Sequence, residues 1–187
     1  MRYTIRPVVE ADWPLAKELR LAALQDPVAP IAFLETYDQV ASQPDEFWQG
    51  RTATAAEGST VRQFIGASPS GRWLGTVTVL VEPPGFEDYF GFVVPTAQTH
   101  LVGVYVRPEA RGTGLAAALF DAALTWSWSL PAPSPQLARL YVHTANTRAQ
   151  AMYKKAGFTP TGATVEAPTG TEYEYAISRA DAAVGAP

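Results

Sequence analysis

The sequence predicts an α/β sandwich, a mixed sheet with helices on both faces. Three observations predict it. First, residues 102–120 pass from an alternating apolar run (Val102, Val104, Val106) through a glycine turn into a long Ala/Leu stretch, which reads as a strand feeding a helix. Second, segments of strand-like and helix-like period follow one another in the order β-α-α-β-β-β-α-β-α-β-β. Third, 187 residues, 47% of them apolar, suffice for one domain with a full two-layer core.

The elements follow in chain order. Tyr3 to Val9 alternates and reads as a first strand. Asp12 is placed to cap the next helix, with Pro14 tolerated in its first turn. Leu15, Leu19, Ala22 and Ala23 then share one helical face, and Pro27 and Pro30 end the helix. Residues 31–40 are looser. Pro44-Asp45-Glu46 starts a second helix that carries Phe47 and Trp48. Residues 61–67 and 73–82 are strands joined by the turn signal Ser68-Pro69-Ser70-Gly71. Residues 82–98, with Pro83, Pro84, Gly85 and Pro95, form a long aromatic and acidic loop. The strand and helix of residues 102–120 follow, the helix reaching about Trp128, and then a Pro-rich loop at 131–135. Residues 139–144, 147–156, 158–166 and 171–178 read as strand, helix, strand, strand. Neither a repeat nor a linker divides the chain, so residues 1–178 form a single domain and 179–187 a short tail expected to fray.

Composition excludes several classes. With no cysteine there is no disulfide, no thiolate metal site and no acyl-cysteine intermediate. Two histidines do not build a His-rich metal centre. A formal charge of −4 argues against nucleic acid as a partner and suits a cationic amine. No apolar run reaches the ~18 residues of a membrane span. The N-terminus, MRYTIRPVVEAD, is charged and lacks a signal peptide's apolar core, so a cytoplasmic protein without a membrane partner is expected.

The glycine turn carries the chemistry. The first N–H groups of a helix lack intrahelical partners, and the helix dipole favours negative charge there. Glycines let a ligand approach the backbone closely. A phosphate or pyrophosphate is therefore expected over residues 111–116. The pattern is not a P-loop, since no Gly-Lys-Ser/Thr follows, and it does not fit G-x-G-x-x-G.

Instead, Arg111-Gly112-Thr113-Gly114-Leu115-Ala116 resembles the acetyl-CoA signature of the GNAT acetyltransferase superfamily, R/Q-x-x-G-x-G/A. A second match follows at that family's spacing. Asn146, Ala149, Tyr153, Gly157 and Phe158 fall on its N-x-x-A-x-x-x-Y-x-x-x-G-F segment, just after the short strand Leu140 to Thr144. The resemblance covers roughly residues 72–178. It implies a GNAT-type fold, with a mixed, mostly antiparallel sheet of about seven strands and helices on both faces. It also implies acetyl-CoA as co-substrate and acetyl transfer to an amine, with the primary amine of a small molecule as the first expectation. Without cysteine, attack is direct within a ternary complex. A protein or peptide N-terminus as acceptor, and a non-catalytic acetyl-CoA-binding module, are the alternatives. A homodimer is compatible with either.

The resemblance also assigns roles. Residues 111–116 hold the pyrophosphate through backbone N–H groups, Thr113 adds a hydroxyl, and Arg111 either pairs with phosphate or faces solvent. The backbone at Val104 and Val106 receives the pantetheine arm. Asn146 hydrogen-bonds the amide arm or caps a helix, or does both. Tyr153 donates to the leaving sulfur. His100 stands where many family members carry a glutamate base, and a histidine can serve near neutral pH. Glu82, Glu87 and Asp88 are rival bases or amine-binding groups, or parts of a solvated acidic loop, and His143 is read as structural. The acceptor site is expected between the first two helices and the 82–98 loop, drawing on Trp13, Phe33, Tyr37, Trp48, Phe86, Tyr89 and Phe90.

Overall fold

A computed structural model describes residues 2–184. Its elements are β1 (Thr4–Pro7), α1 (Trp13–Leu24), α2 (Tyr37–Ala41), α3 (Asp45–Glu57), β2 (Val61–Ala67), β3 (Trp73–Glu82) and β4 (Gln98–Val106). They continue as α4 (Leu115–Ser129), β5 (Leu137–His143), α5 (Thr147–Lys155), β6 (Thr159–Ala167), β7 (Gly170–Ser178) and α6 (Arg179–Val184). The seven strands form one sheet in the order β1-β2-β3-β4-β5-β7-β6, and β4–β5 is its single parallel pair.

The expected order of strands and helices is present, with two additions. The loose segment at 31–40 contains α2, started by a capping box in which Thr36 and Gln39 exchange hydrogen bonds. A short helix occupies 179–184 in the stretch expected as a frayed tail, of which residues 185–187 lie outside the described residues. Asp12 does not cap α1. Its carboxylate accepts from the Arg6 guanidinium (2.6 and 2.9 Å) and from the Val9 N–H (2.9 Å), tying the end of β1 to the helix start. The buried face of α1 is Ala16, Leu19, Ala23 and Leu24, so Ala22 turns partly outward and Leu24 inward. No helix among the described residues is long and apolar enough to cross a membrane.

Strand alternation sends side chains to two cores. Ile65, Trp73 and Tyr105 meet α1 and α3 with Leu19, Ala23 and Ala55. Phe64, Leu74 and Val106 meet α4 and α5 on the other face with Leu115, Leu119, Phe120 and Tyr153. Gly66 and Gly75 stand opposite each other on β2 and β3. A Cβ on Gly66 would lie 2.4 Å from Leu115 Cδ1, and one on Gly75 would lie 2.9 Å from the Tyr105 carbonyl and 3.2 Å from Leu119 Cδ1. The pair makes a bed that lets α4 lie close against the sheet.

Candidate active site

β4 and β5 pair only where Gln98–His100 meets Leu137–Arg139, and then they part. A bulge helps to turn β4 away. Its residues Val102 to Tyr105 take three steps against the two from Thr78 to Thr76, with Gly103 at φ +62°. The parting strands open a cleft of about 1170 Å³ that extends under α1 and α3. Val104 stands inside the bulge, without a register partner on β3, and lines the cleft with Val106. The Arg107 N–H donates to the Leu74 carbonyl, so the strand alternation turns the polar backbone groups of Val106 to the open side.

Beyond β4 the chain makes a 3₁₀ turn, Pro108–Ala110, and then reverses through Gly112 (φ +75°) and Gly114 (φ +87°) into α4. Both glycines sit in the left-handed region that side chains disfavour. α4 starts on Gly114, which offers no capping side chain, so the first-turn N–H groups are not covered by one. A Cβ on Gly112 would meet nothing within 4 Å, which marks open space above the turn. The two flanking side chains serve the turn itself. Arg111 donates from Nε to the Val106 carbonyl (3.0 Å) and pairs with Asp26 across the end of α1, while its half-buried side chain also lines the cleft. Burial pushes the Asp26 carboxyl up, but the Val28 N–H, Arg111 and the charge of Arg148 outweigh it and hold it below the usual range. Thr113 donates its hydroxyl proton to the Ala110 carbonyl (2.7 Å), so that proton is not free for a phosphate. The Leu115 side chain lies in the core, while Ala116 lines the cleft. What remains for an anion is backbone N–H groups at 112–116 and the helix dipole.

α5 contributes the second half. Asn146 accepts the Ala149 N–H at its side-chain oxygen (3.2 Å), so it is the helix cap, and it also lines the cleft. Gly157 (φ +93°) ends α5 and turns Phe158 into the core, which explains the Gly-Phe pair by local geometry. The Tyr153 ring packs edge-on against Phe120 and Phe158, its hydroxyl makes no hydrogen bond among the described residues, and the residue lines the cleft. Burial and the nearby Glu172 carboxylate push the Tyr153 phenol well up, so it stays protonated. His143, read as structural, lines the cleft and has both ring nitrogens engaged. Its Nδ1 accepts from the Ala145 N–H (3.0 Å), leaving Nε2–H to donate to the Thr169 carbonyl (3.0 Å).

His100 belongs to a buried polar network. Its Nδ1 lies 3.1 Å from Glu82 Oε1, and a carboxylate there selects the Nδ1–H tautomer, which leaves Nε2 as an acceptor. Glu82 is 1% exposed and also accepts from Gln98 Nε2 (2.7 Å) and Arg139 Nε (3.0 Å). Burial pushes the Glu82 carboxyl up, but hydrogen bonds from His100 and Gln98 and the charge of Arg139 hold it below the usual range. Arg139 reaches on to Asp88 (2.8 Å) and to the Tyr141 hydroxyl (2.7 Å). The expectation of a solvated acidic loop is therefore corrected in part. Glu87 is exposed, but Asp88 is buried and also accepts the N–H groups of Phe90 and Phe92. Of the expected aromatics, Phe33, Trp48, Phe86, Tyr89 and Phe90 line the cleft, whereas Trp13 and Tyr37 do not. Tyr141 on the cleft and Arg139 in the buried network that holds Glu82 are residues that the sequence reading missed. An arginine inside an otherwise apolar strand was the available signal.

Known proteins match this arrangement. A sequence model of the acetyltransferase (GNAT) family matches residues 22–158. No curated protein sequence matches the chain. Among solved structures, the chain is similar to a GNAT-family acetyltransferase from Streptococcus pneumoniae (TM-score 0.72, 15% identity, 95% of this chain and 99% of that one). It is similar to a phosphinothricin acetyltransferase from Sinorhizobium meliloti solved with AcCoA (TM-score 0.70, 16% identity, 95% and 89%). It is also similar to a spermidine N-acetyltransferase from Vibrio cholerae solved with CoA and spermine (TM-score 0.68, 16% identity, 96% and 96%). At these identities the structural likenesses are likenesses of fold. The match to the family model covers most of the chain, and the chain belongs to the acetyltransferase (GNAT) family: it is an N-acetyltransferase with acetyl-CoA as co-substrate.

Proposed function

We propose that this GNAT-family chain moves the acetyl group of acetyl-CoA to the primary amine of a small molecule in the cytoplasm, by direct attack in a ternary complex. The observation that carries the reading is that the glycine turn, Tyr153 and His100 all line one cleft. The backbone N–H groups of 112–116 hold the pyrophosphate, with Arg111 and Thr113 keeping the turn in shape. The strand edge at Val104 and the Val106 N–H receives the pantetheine arm, next to Asn146, the Val106 carbonyl being held by Arg111.

The chemistry needs a neutral nucleophile, a stabilised oxyanion and a protonated leaving group. His100 accepts the amine proton at Nε2, and Glu82 steadies the imidazolium through Nδ1–H. The amine nitrogen bonds to the carbonyl carbon to give a tetrahedral oxyanion beside the β4 backbone at Val104 and Val106, and this collapses with loss of the carbon–sulfur bond. The buried Tyr153 phenol keeps its proton and donates a hydrogen bond to the departing sulfur, and the proton that His100 took from the amine is the one that converts the released thiolate to thiol. The chain has no cysteine to carry an acyl intermediate.

The test is a thermal-shift titration with acetyl-CoA, followed by a thiol-release screen with small amines and peptides. Stabilisation with release from a small amine supports the reading. Release from peptides alone moves the acceptor to a polypeptide N-terminus, and stabilisation without release favours a non-catalytic binding module. No stabilisation well above typical affinities counts against the cofactor site.

A further inference from the structure

Four rings run outward from the proposed base along one wall of the cleft. His100 meets Tyr141 edge-to-face at a centroid distance of 5.3 Å, Tyr141 meets Phe90 at 5.1 Å, and Phe90 meets Tyr89 at 5.2 Å. All four line the cleft. The outer rings stand on a braced hairpin within residues 83–97. Glu87 bridges Val93, and the Gly85 and Val94 N–H groups donate to the Val94 and Phe86 carbonyls at 2.8 Å. Asp88 pins the hairpin to β5 through Arg139. Tyr89 is nonetheless 68% exposed and Phe86 43% exposed, both on the cleft. Large apolar side chains held open at a cleft mark a surface awaiting a ligand.

The charges on the cleft point the same way. Asp26 is paired with Arg111, Glu35 with Arg20 and Arg51, and Glu82 with His100 and Arg139. Glu172, opposite His143 on β7, makes no ion pair among the described residues, and burial favours its neutral form. Arg20, Arg51, Arg111, Arg148 and Lys155 also line the cleft. Among the described cleft residues Glu172 alone is left to receive a second ammonium group, and the cationic side chains outnumber it.

We propose that the acceptor is a monoamine with an aromatic body, an arylalkylamine. Its ring packs along the Tyr141–Phe90–Tyr89 wall and its nitrogen faces His100. This rests on the small-amine reading above. Flat rings pack edge-to-face on such a wall better than saturated chains of equal size.

The experiment measures thiol release at fixed acetyl-CoA with 2-phenylethylamine, 2-cyclohexylethylamine, n-butylamine and spermidine. The expected result is a kcat/KM for phenylethylamine about tenfold above that for the cyclohexyl amine, with spermidine weaker still. Tyr89→Ala should lower the phenylethylamine value about three- to tenfold through KM, and lower it more than the n-butylamine value. Equal use of the saturated amine, preference for spermidine, or a uniform loss in Tyr89→Ala would overturn the aromatic acceptor while leaving small-amine transfer intact. Stabilisation by acetyl-CoA without release from any of these amines would instead remove the small-amine reading itself.

Discussion

His100 and Glu82 meet diagonally across the β3–β4 pair, Nδ1 to Oε1 at 3.1 Å, because His100 stands opposite Leu80 and Glu82 opposite Gln98. The diagonal step keeps both side chains on the cleft face. Gln98 and Arg139 occupy the other carboxylate oxygen, so Glu82 can turn only one oxygen to the imidazole. That fixes the tautomer and aims Nε2 away from the network.

If this pair is the base, His100→Ala should lower kcat about a hundredfold and remove an ionisation from the pH–rate profile, with acetyl-CoA affinity unchanged. Glu82→Gln should lower kcat less, and the double variant should be no slower than His100→Ala alone. A profile that keeps every ionisation in His100→Ala would exclude it as base.

Tyr153→Phe removes an oxygen that has no partner among the described residues and keeps the ring contacts with Phe120 and Phe158. The melting temperature should therefore stay at the wild-type value while kcat falls at least about tenfold. Wild-type turnover would show that the hydroxyl does not serve the sulfur.

Gly114→Glu places a carboxylate, and a strained backbone at φ +87°, where the anion is expected. Acetyl-CoA binding measured by calorimetry should vanish. Gly112→Ala adds no charge and meets open space, so it should cost only about 1–2 kcal/mol of backbone strain. Unchanged CoA affinity in Gly114→Glu would remove the glycine turn from the site.

Glu82 and Asp88 have carboxyl groups held below the usual range in the fold. Such groups stabilise the native state above the unfolded-state value, about pH 4, and lose that contribution as pH falls through the lowered folded value. The Asp88 carboxyl is pushed up by burial and pulled down further by the Phe92 N–H and Arg139. Asp88→Asn should then be less stable than wild type at pH 7, and the gap should narrow as pH falls below about 4 through the lowered folded value. Urea midpoints at neutral and acid pH check this, and a gap that does not narrow at low pH would contradict it.

Gly75→Ala should destabilise the fold by about 1–3 kcal/mol, because the new methyl is driven into the Tyr105 carbonyl rather than into a yielding side chain. Gly66→Ala meets the Leu115 side chain instead, and Leu115→Ala should partly relieve it. Denaturant midpoints of the singles and the pair decide whether α4 rests on this bed.

Much of the fold was legible because it is written in short-range terms. Period-two and helical patterns placed β2 and β3 at their observed bounds and located α3, α4 and α5. The cap of α1 was misread because Asp12 also has Arg6 within reach, six residues back on β1, and a charged partner outweighed the helix N–H groups. Arg111 was undecided for a similar reason, since its partner Asp26 lies 85 residues away.

The sequence by itself determined the strand–turn–helix of residues 102–120, the left-handed glycines 112 and 114 and the α5 motif. Each is a matter of backbone sterics or period among neighbours in the chain. Only the tertiary structure decided that Glu82 orients His100, that Arg139 binds both Glu82 and Asp88, and that Tyr89, Phe90 and Tyr141 form one wall. Those contacts depend on which strands lie side by side. Arg139 reaches Glu82 only because β5, 57 residues on in the chain, pairs with β4 before the two part. Hydrophobic period tells each strand which face to bury, but strand order is settled by packing the whole sheet.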